Sequence, residues 1–188
     1  MDVIEAIKTR RSLRSLEQFE VTNYLIRTLG ESLQLSPSCF NNQPWRFMFV
    51  CDPAVLDEAF SALSAGNEWV KNASLLIAVV TNKGLDCIIR IREYYLFDTG
   101  IATGFLLLRL TEFNLVAHPI AGYRHKKIRE ILSIPEGMTV ISLIVVGKRA
   151  DTISHLLSDK QREEEIHRPA RKKLEEFIYV NQYGNPVY

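Results

Sequence analysis

The stretch from about residue 86 to 114 constrains the fold more than any other, because it contains no proline and its only glycines are Gly100 and Gly104. One long helix or two abutting helices can occupy it. Its second half is apolar on nearly all sides, which is typical of a helix covered all round at the centre of a molecule. The sequence therefore predicts a long, central, buried helix.

A second apolar run, LLIAVV at residues 75–80, is bounded by polar residues and predicts a strand that is covered on both faces. Further strands are predicted at about 45–51, 116–120 and 138–147. Capping residues and helical spacing predict helices at about 2–8, 22–34, 52–64 and 125–132, and at 160–177 with an interruption or restart at Pro169. Strands that alternate with helices indicate an α/β or α+β fold, and 188 residues indicate a single domain over 1–188.

Charge and cysteine content exclude several classes of protein. The 23 basic and 22 acidic residues give a net charge of +1, so no global basic field attracts nucleic acid or anionic membranes. The sequence has three cysteines, an odd number without C-x-x-C spacing: Cys39, Cys51 and Cys87. This pattern indicates neither a disulfide framework nor a structural zinc site, so we expect the protein in a reducing cytoplasm. Residues 1–20 lack the apolar segment of a secretory signal and residues 101–108 are too few to span a bilayer, so we expect no membrane partner.

Two basic clusters are candidate anion sites. Arg10, Arg11 and Arg14 stand with Ser12 directly after the first predicted helix, and arginine matches phosphate oxygens in a bidentate manner. The second cluster covers residues 168–173 and can close on the same anion if the fold brings the two ends together. A solvated basic turn and a solvated helix face explain the same residues, and both alternatives stay open.

Two further segments have the composition of a cofactor site. The polar loop at residues 37–45 carries asparagine and glutamine amides, which can bind the edge of a planar heterocycle, although such residues also form ordinary turns. The segment 118–123 ends an extended stretch at Gly122, where backbone amides are exposed to a flat group or simply form a turn.

Other chemistry lacks a sequence signature. The four histidines, His118, His125, His155 and His167, have no metal-ligand spacing, so we expect surface or capping roles and no metal. The G-x-S-x-G, G-x-G-x-x-G and G-x-x-x-x-G-K-[ST] patterns are all absent from the sequence, which argues against a serine nucleophile elbow and against the usual dinucleotide and P-loop sites.

Taken together and in order, the segments of the chain resemble the nitroreductase family of flavoproteins. The resemblance covers nearly the whole sequence. Its segments are TRRSLR, LSPSCFNNQPWRFMFV, GNEWVKNASLLIAV, DTGIATGFLLLRL, HPIAGY, IPEGMTVISLIVVGK and RKKLEE.

This resemblance implies an α+β fold with a central antiparallel sheet flanked by helices, assembled as an intertwined homodimer with two FMN sites at its interface. The cofactor-binding residues it implies at the basic clusters are Arg10, Arg11, Ser12, Arg168 and Arg171, of which all but Arg11 hold the phosphate. Arg14 would lie near N1 and O2 of the flavin and Asn67 near its pyrimidine edge. The partner subunit would supply Pro37, Ser38, Cys39 and Asn41, while Pro119, Ile120 and Gly122 would cover the ring or reach N5.

The resemblance also implies an activity. FMN would take hydride from NAD(P)H and then reduce a nitroaromatic, a quinone or a similar electron-poor acceptor in a ping-pong cycle, with Arg14 as an electrostatic stabiliser and no catalytic acid or nucleophile from the protein. Ala121 replaces the glutamate of many relatives, and Phe40 replaces a smaller residue beside the flavin. The alternatives are a flavin-binding redox sensor without catalysis, a flavin reductase, enone reductase or dehalogenase on the same scaffold, and an interaction module for an acidic partner.

Overall fold

The computed structural model describes residues 1–187 as helices packed on both faces of one antiparallel sheet. The helices are α1 (Val3–Thr9), α2 (Asn23–Gln34), α3 (Pro53–Phe60), α4 (Tyr94–Glu112), α5 (His125–Ile131) and α6 (Asp159–Ile166). The strands are β1 (Leu16–Glu17), β2 (Arg46–Val50), β3 (Leu75–Thr81), β4 (Ile88–Ile89), β5 (Arg92–Glu93), β6 (Leu115–Ile120) and β7 (Thr139–Arg149). In the described part of the chain, no helix combines the length and the apolar character that crossing a bilayer requires.

Most of the helices begin where the sequence places a cap. Asp2 and Glu5 form a capping box at α1, Thr22 caps α2, and Asp52 caps α3 with Pro53 in the first helical position. These side chains accept hydrogen bonds from backbone N–H groups that have no partner inside the helix. The predicted starts of these three helices are therefore confirmed to within one residue.

The sheet has the order β1–β7–β3–β2, and β6 also pairs with β7. All of these pairings are antiparallel, which confirms the predicted α+β architecture. Strand β3 lies between β2 and β7, and every one of its residues is buried. The uninterrupted apolar run at 75–80 thus has the physical origin predicted for it, since both of its faces are covered.

The two faces of the sheet carry separate cores. On one face Leu76, Ala78 and Val80 pack in a cluster with Leu56 of α3 and Ile128 of α5. On the other face the alternate side chains of β3 meet the apolar faces of α2 and α4; the residues are Leu75, Ile77, Val79, Leu29, Leu106 and Leu110. This alternation follows from the two-residue period of a strand.

The start of the long helix is a correction to the sequence prediction. Residues 88–93 form a small hairpin of β4 and β5 instead of a helix, and α4 begins only at Tyr94. Arg90, at the turn, has a left-handed φ of 59°. The β-branched residues Ile88 and Ile89 favour this extended backbone. Helix α4 buries Ala102, Leu106 and Leu110, whereas Phe97 and Phe105 leave an apolar face of the single chain exposed.

Two further sequence expectations are wrong. Cys39 and Cys87 form a disulfide, which spacing along the chain does not indicate because the fold alone brings these residues together; Cys51 is free and exposed. This disulfide removes the cysteine argument for a reducing compartment. The last helix ends at Ile166, before Pro169, and residues 174–176 form only a short 3-10 turn.

Candidate functional site

The two basic clusters meet in one cavity of about 200 Å³. Arg10 and Arg168 are separated by 158 residues, yet the Arg168 guanidinium donates to the Arg10 carbonyl at 3.0 Å and to the Lys8 carbonyl at 2.6 Å. The segment after α1 and the segment after α6 therefore form the two walls. The lining residues are Arg10, Arg11, Ser12, Arg14, His118, Glu164, Arg168, Pro169 and Arg171.

Positive charge dominates this cavity. Burial lowers the pKa of Arg10 from its ordinary value, and the nearby charges of Arg168 and Arg171 lower it further. Glu164 is the one acidic residue of the lining, and its carboxylate pairs with Arg14 at 2.9 Å. Several guanidinium groups without matching carboxylates form a site for an anion, and their donor geometry suits phosphate.

The individual arginines are not equally free to bind a ligand. The Arg11 side chain donates to the Glu164 carbonyl at 2.6 Å and thereby ties the first wall to α6. Arg10 donates to the Ser12 hydroxyl at 3.2 Å, inside the cavity. Arg10, Ser12 and Arg171 are therefore the best placed to hold an anion, whereas Arg11 and Arg168 bind backbone and shape the walls.

A buried carboxylate from α6 fixes the first wall. Glu165 accepts hydrogen bonds from the backbone N–H groups of Arg14 at 2.7 Å and Ser15 at 3.1 Å. Two donors on one ionised carboxylate bind more strongly than neutral hydrogen bonds do. No pattern in the sequence distinguishes Glu165 from the other glutamates of α6, and sequence reasoning missed it.

His118 forms the floor of the cavity, so the expected surface or capping role is wrong for this histidine. Its Nδ1 lies 3.0 Å from the Leu13 carbonyl and is assigned as the protonated nitrogen because a carbonyl only accepts. The ring packs against Trp69 with 4.9 Å between centroids. Burial is the main cause that lowers its pKa to about 4, so His118 is neutral at pH 7.

Asn67 and Gly122, which the resemblance places at the flavin, are in contact with each other. The Asn67 side-chain amide donates to the Gly122 carbonyl at 3.3 Å and to the Ser64 carbonyl at 3.2 Å. A Cβ at Gly122 would lie 2.9 Å from Asn67 Nδ2, so glycine permits this close approach. Pro119 and Ile120 lie on β6, where the Ile120 side chain is buried in the core and its carbonyl accepts a hydrogen bond from the Ser142 hydroxyl at 3.0 Å.

The loop residues Pro37, Ser38 and Cys39 line a different cavity of about 290 Å³, beside the start of α4. Asn41 follows in the same loop. None of these residues lines the arginine cavity, so the described single chain does not bring the two predicted halves of the site together. That separation is what the resemblance implies if the loop serves the site of a second subunit.

Comparison with known proteins completes the description. A family model described as "Nitroreductase family" matches residues 7–89. A protein of Methanothermobacter thermautotrophicus, provisionally named an NADH dehydrogenase/NAD(P)H nitroreductase, is 32% identical over 156 residues, covering 80% of this chain and 79% of that protein. An iodotyrosine deiodinase of Haliscomenobacter hydrossis is 27% identical, with 82% of each chain covered. A crystal structure described as an oxidoreductase containing FMN matches with a TM-score of 0.80 and 26% identity over 98% of this chain and 93% of that one.

Proposed function

Because this chain belongs to the nitroreductase family of oxidoreductases, we propose that it binds FMN and uses NAD(P)H to reduce nitroaromatic, quinone or similar electron-poor acceptors. The observation that carries this proposal is the arginine cavity between the two ends of the chain. Its surplus of guanidinium groups over carboxylates suits the phosphate of FMN. The FMN-containing structural relative supports the same cofactor.

The residues of the cavity have different roles in the proposed binding of FMN. Arg10, Ser12 and Arg171 would hold the phosphate, while Arg168 and Arg11 keep the two walls together through backbone carbonyls. A volume of about 200 Å³ admits the phosphate end of FMN, and the flat ring would lie beyond it. When bound, FMN would supply the hydride-transfer chemistry between NAD(P)H and the acceptor.

Arg14 has an electrostatic role in this proposal. Its guanidinium is mostly buried, and among residues 1–187 its ion-pair partner is Glu164. A positive charge held in such a place stabilises negative charge that develops on a reduced ring. Neutral His118, below the same cavity, keeps the Leu13 backbone in position and adds no proton of its own near pH 7.

A homodimer would complete the site. The exposed apolar face of α4, with Leu96, Phe97 and Phe105, is the kind of surface that a second subunit buries. The loop that contains Pro37–Asn41 lies at the N-terminal end of this helix, and in such an assembly it would serve the partner's cavity. The dimer would therefore join the two groups of residues that one chain holds apart.

The test begins with the absorbance spectrum of the purified protein, which should show the visible bands of bound flavin. NAD(P)H should bleach them under anaerobic conditions, and a nitroaromatic or quinone should restore them. Arg10→Ala should weaken FMN binding about tenfold or more, since a charged hydrogen bond contributes about 1.5–3 kcal/mol. Lys126→Ala removes the same charge from an exposed position outside the arginine cavity and should leave FMN affinity unchanged.

Each alternative has its own outcome in this experiment. Colourless protein that FMN cannot reconstitute would overturn the proposal in favour of an interaction module. A bound flavin that NAD(P)H does not bleach would indicate a redox sensor without catalysis. Reoxidation by an iodinated tyrosine but by no nitroaromatic or quinone would favour dehalogenation, the activity in the name of the Haliscomenobacter relative.

A further inference from the structure

The loop at residues 38–43 has an unusual backbone, which hydrogen bonds within the loop support in part, among them one from the Gln43 N–H to the Ser38 hydroxyl at 2.9 Å. Phe40, Asn41 and Gln43 have φ values of 47°, 58° and 49°. Left-handed backbone is unfavourable for residues other than glycine and persists only where the surroundings hold it in place. Phe40 is 86% exposed, so hydrophobic burial does not hold this loop down.

A small group of contacts attaches the loop to the surroundings of one end of α4. The disulfide joins Cys39 to Cys87, just before the β4–β5 hairpin. The Cys39 N–H donates to the Asp98 carboxylate at 2.6 Å. The Asn42 side chain donates to Asp86 at 3.2 Å. The disulfide is the one covalent link among these contacts, and it attaches the loop to a hairpin of only two residues per strand.

The same place holds two acidic side chains, of which Asp86 lies close to both sulfur atoms and Asp98 binds the Cys39 backbone. Asp86 Oδ1 lies 3.5 Å from Cys87 Sγ, and Asp86 Oδ2 is buried without a hydrogen-bond partner. Asp98 is buried in α4, and burial raises its pKa; the hydrogen bond from the Cys39 N–H opposes this shift, and the charge of Asp86 adds to it. Such a pair of carboxyl groups can retain a proton beside a sulfur atom. Both cysteines are only partly buried in the single chain, so a reductant can reach them there.

We propose that Cys39 and Cys87 form a reversible thiol–disulfide site that reacts with a dithiol reductant, and that its redox state decides whether loop 38–43 stays closed against α4. In the reaction a thiolate of the dithiol attacks Cys39 Sγ, the Cys39–Cys87 bond breaks, and the sulfur of Cys87 leaves as a thiolate. The Asp86–Asp98 pair supplies the proton to that sulfur. The second thiol of the dithiol, as its thiolate, then displaces Cys39, which leaves as a thiolate and takes up a proton from water, and the Asp86–Asp98 pair regains its proton from water. The dithiol becomes a disulfide and releases its two protons to water, so the protein gains two electrons and two protons in total.

Reduction removes the covalent link but leaves the unfavourable backbone. The reduced loop is then held to α4 and the hairpin by the bonds to Asp98 and Asp86, and its three left-handed residues can relax. We therefore expect the reduced loop to open. Since the loop carries Pro37, Ser38, Cys39 and Asn41, opening would also alter the flavin site, a consequence that depends on the function proposed above.

The first measurement counts the thiols that alkylate. In a Cys51→Ser protein, no cysteine should alkylate before treatment and two should alkylate after dithiothreitol. The second measurement is amide hydrogen exchange. Reduction should speed exchange of residues 38–43 at least tenfold, while residues 75–81 of the central strand stay protected and show that the protein remains folded.

Cysteine variants distinguish the loss of the Cys39–Cys87 disulfide from general effects of the reductant on the protein. Cys39→Ser/Cys87→Ser should show the fast exchange of the loop without reductant and no response to dithiothreitol, whereas Cys51→Ser should respond as the natural sequence does. Two thiols that alkylate without reductant, or loop exchange that reduction leaves unchanged, would overturn the proposal. Protein that fails to bind FMN but passes both measurements would contradict the proposed function alone.

Discussion

Glu165 offers a direct test of how α6 shapes the arginine cavity. The side chain is 8% exposed and accepts two backbone N–H groups, those of Arg14 and Ser15. Hydrogen bonds to a charged group contribute about 1.5–3 kcal/mol each, so Glu165→Ala removes about 3–6 kcal/mol before water enters the space, and we expect a net loss of about 3 kcal/mol. Glu165→Gln keeps one acceptor oxygen and should lose about 1.5–3 kcal/mol.

Urea denaturation at pH 7 measures this difference. With a slope of about 2–3 kcal/mol per molar urea, a loss of about 3 kcal/mol moves the midpoint down by about 1 M. Glu163→Gln is the matched control, because Glu163 lies in the same helix with its side chain 70% exposed and should change stability by less than about 0.5 kcal/mol. A Glu165→Ala protein within about 0.5 kcal/mol of the unmodified chain would refute the assignment of Glu165 as a structural anchor.

The same two variants connect stability with binding. Because Glu165 holds the Arg14 and Ser15 amides, Glu165→Gln should weaken FMN binding even under conditions where the protein remains fully folded. Titration of the protein with FMN at pH 7 in the absence of urea, followed by fluorescence quenching, measures this effect. Equal affinity in Glu165→Gln and Glu163→Gln would mean that the segment keeps its shape without the carboxylate.

Three further predictions concern His118, two glycines and Arg14. The pKa of His118 is about 4 in the folded state against 6.5 for an unperturbed histidine, so the unfolded state binds more protons between these pH values. The free energy of unfolding should therefore fall by about 3 kcal/mol as the pH falls from 6.5 to 4, and urea titrations of His118→Gln at each pH should lack this component. Gly147→Ala places a Cβ 3.0 Å from Leu16 Cβ and should lower the free energy of unfolding by about 1–3 kcal/mol. Gly30→Ala, in an open helical position, should raise it by about 0.5–1 kcal/mol, and thermal denaturation of both variants measures these changes. Arg14→Ala should lower the reduction potential of bound FMN, and an unchanged potential in a variant that still binds FMN would reject its electrostatic role.

The sequence predicts the sheet well because burial on two faces leaves a direct trace in it. The run at 75–80 is apolar throughout since β3 lies in the middle of the sheet with helices on both sides. Helix starts are predicted from Asp2, Thr22 and Asp52 for a similarly local reason, as capping depends on neighbouring residues only. The β4–β5 hairpin was not predictable in this way, because its position next to the loop at Cys39 depends on contacts between distant residues.

The candidate site shows the same division between local and distant information. The arginine clusters are visible in the sequence by composition, and the structure brings both into one cavity. Glu165 and His118 are not visible, since each acts through a bond to the backbone of the segment 13–15, more than one hundred residues away. A sequence pattern therefore indicates the side chains that face a ligand more readily than the side chains that hold the ligand-binding segment in place.

Neighbouring glutamates in α6 illustrate why the supporting residues matter for the chemistry. Glu165 turns into the protein and fixes the backbone at Arg14, while Glu164 points into the cavity and pairs with the Arg14 side chain at 2.9 Å. One helix therefore sets both the position of this arginine and the charge that opposes it. An anion that enters the cavity must compete with the Glu164 carboxylate for Arg14, whereas Arg10 and Arg171 pair with no carboxylate in the described chain. In the proposed function, phosphate binding would therefore fall to Arg10 and Arg171, whereas negative charge on the reduced ring would interact with Arg14 in competition with Glu164.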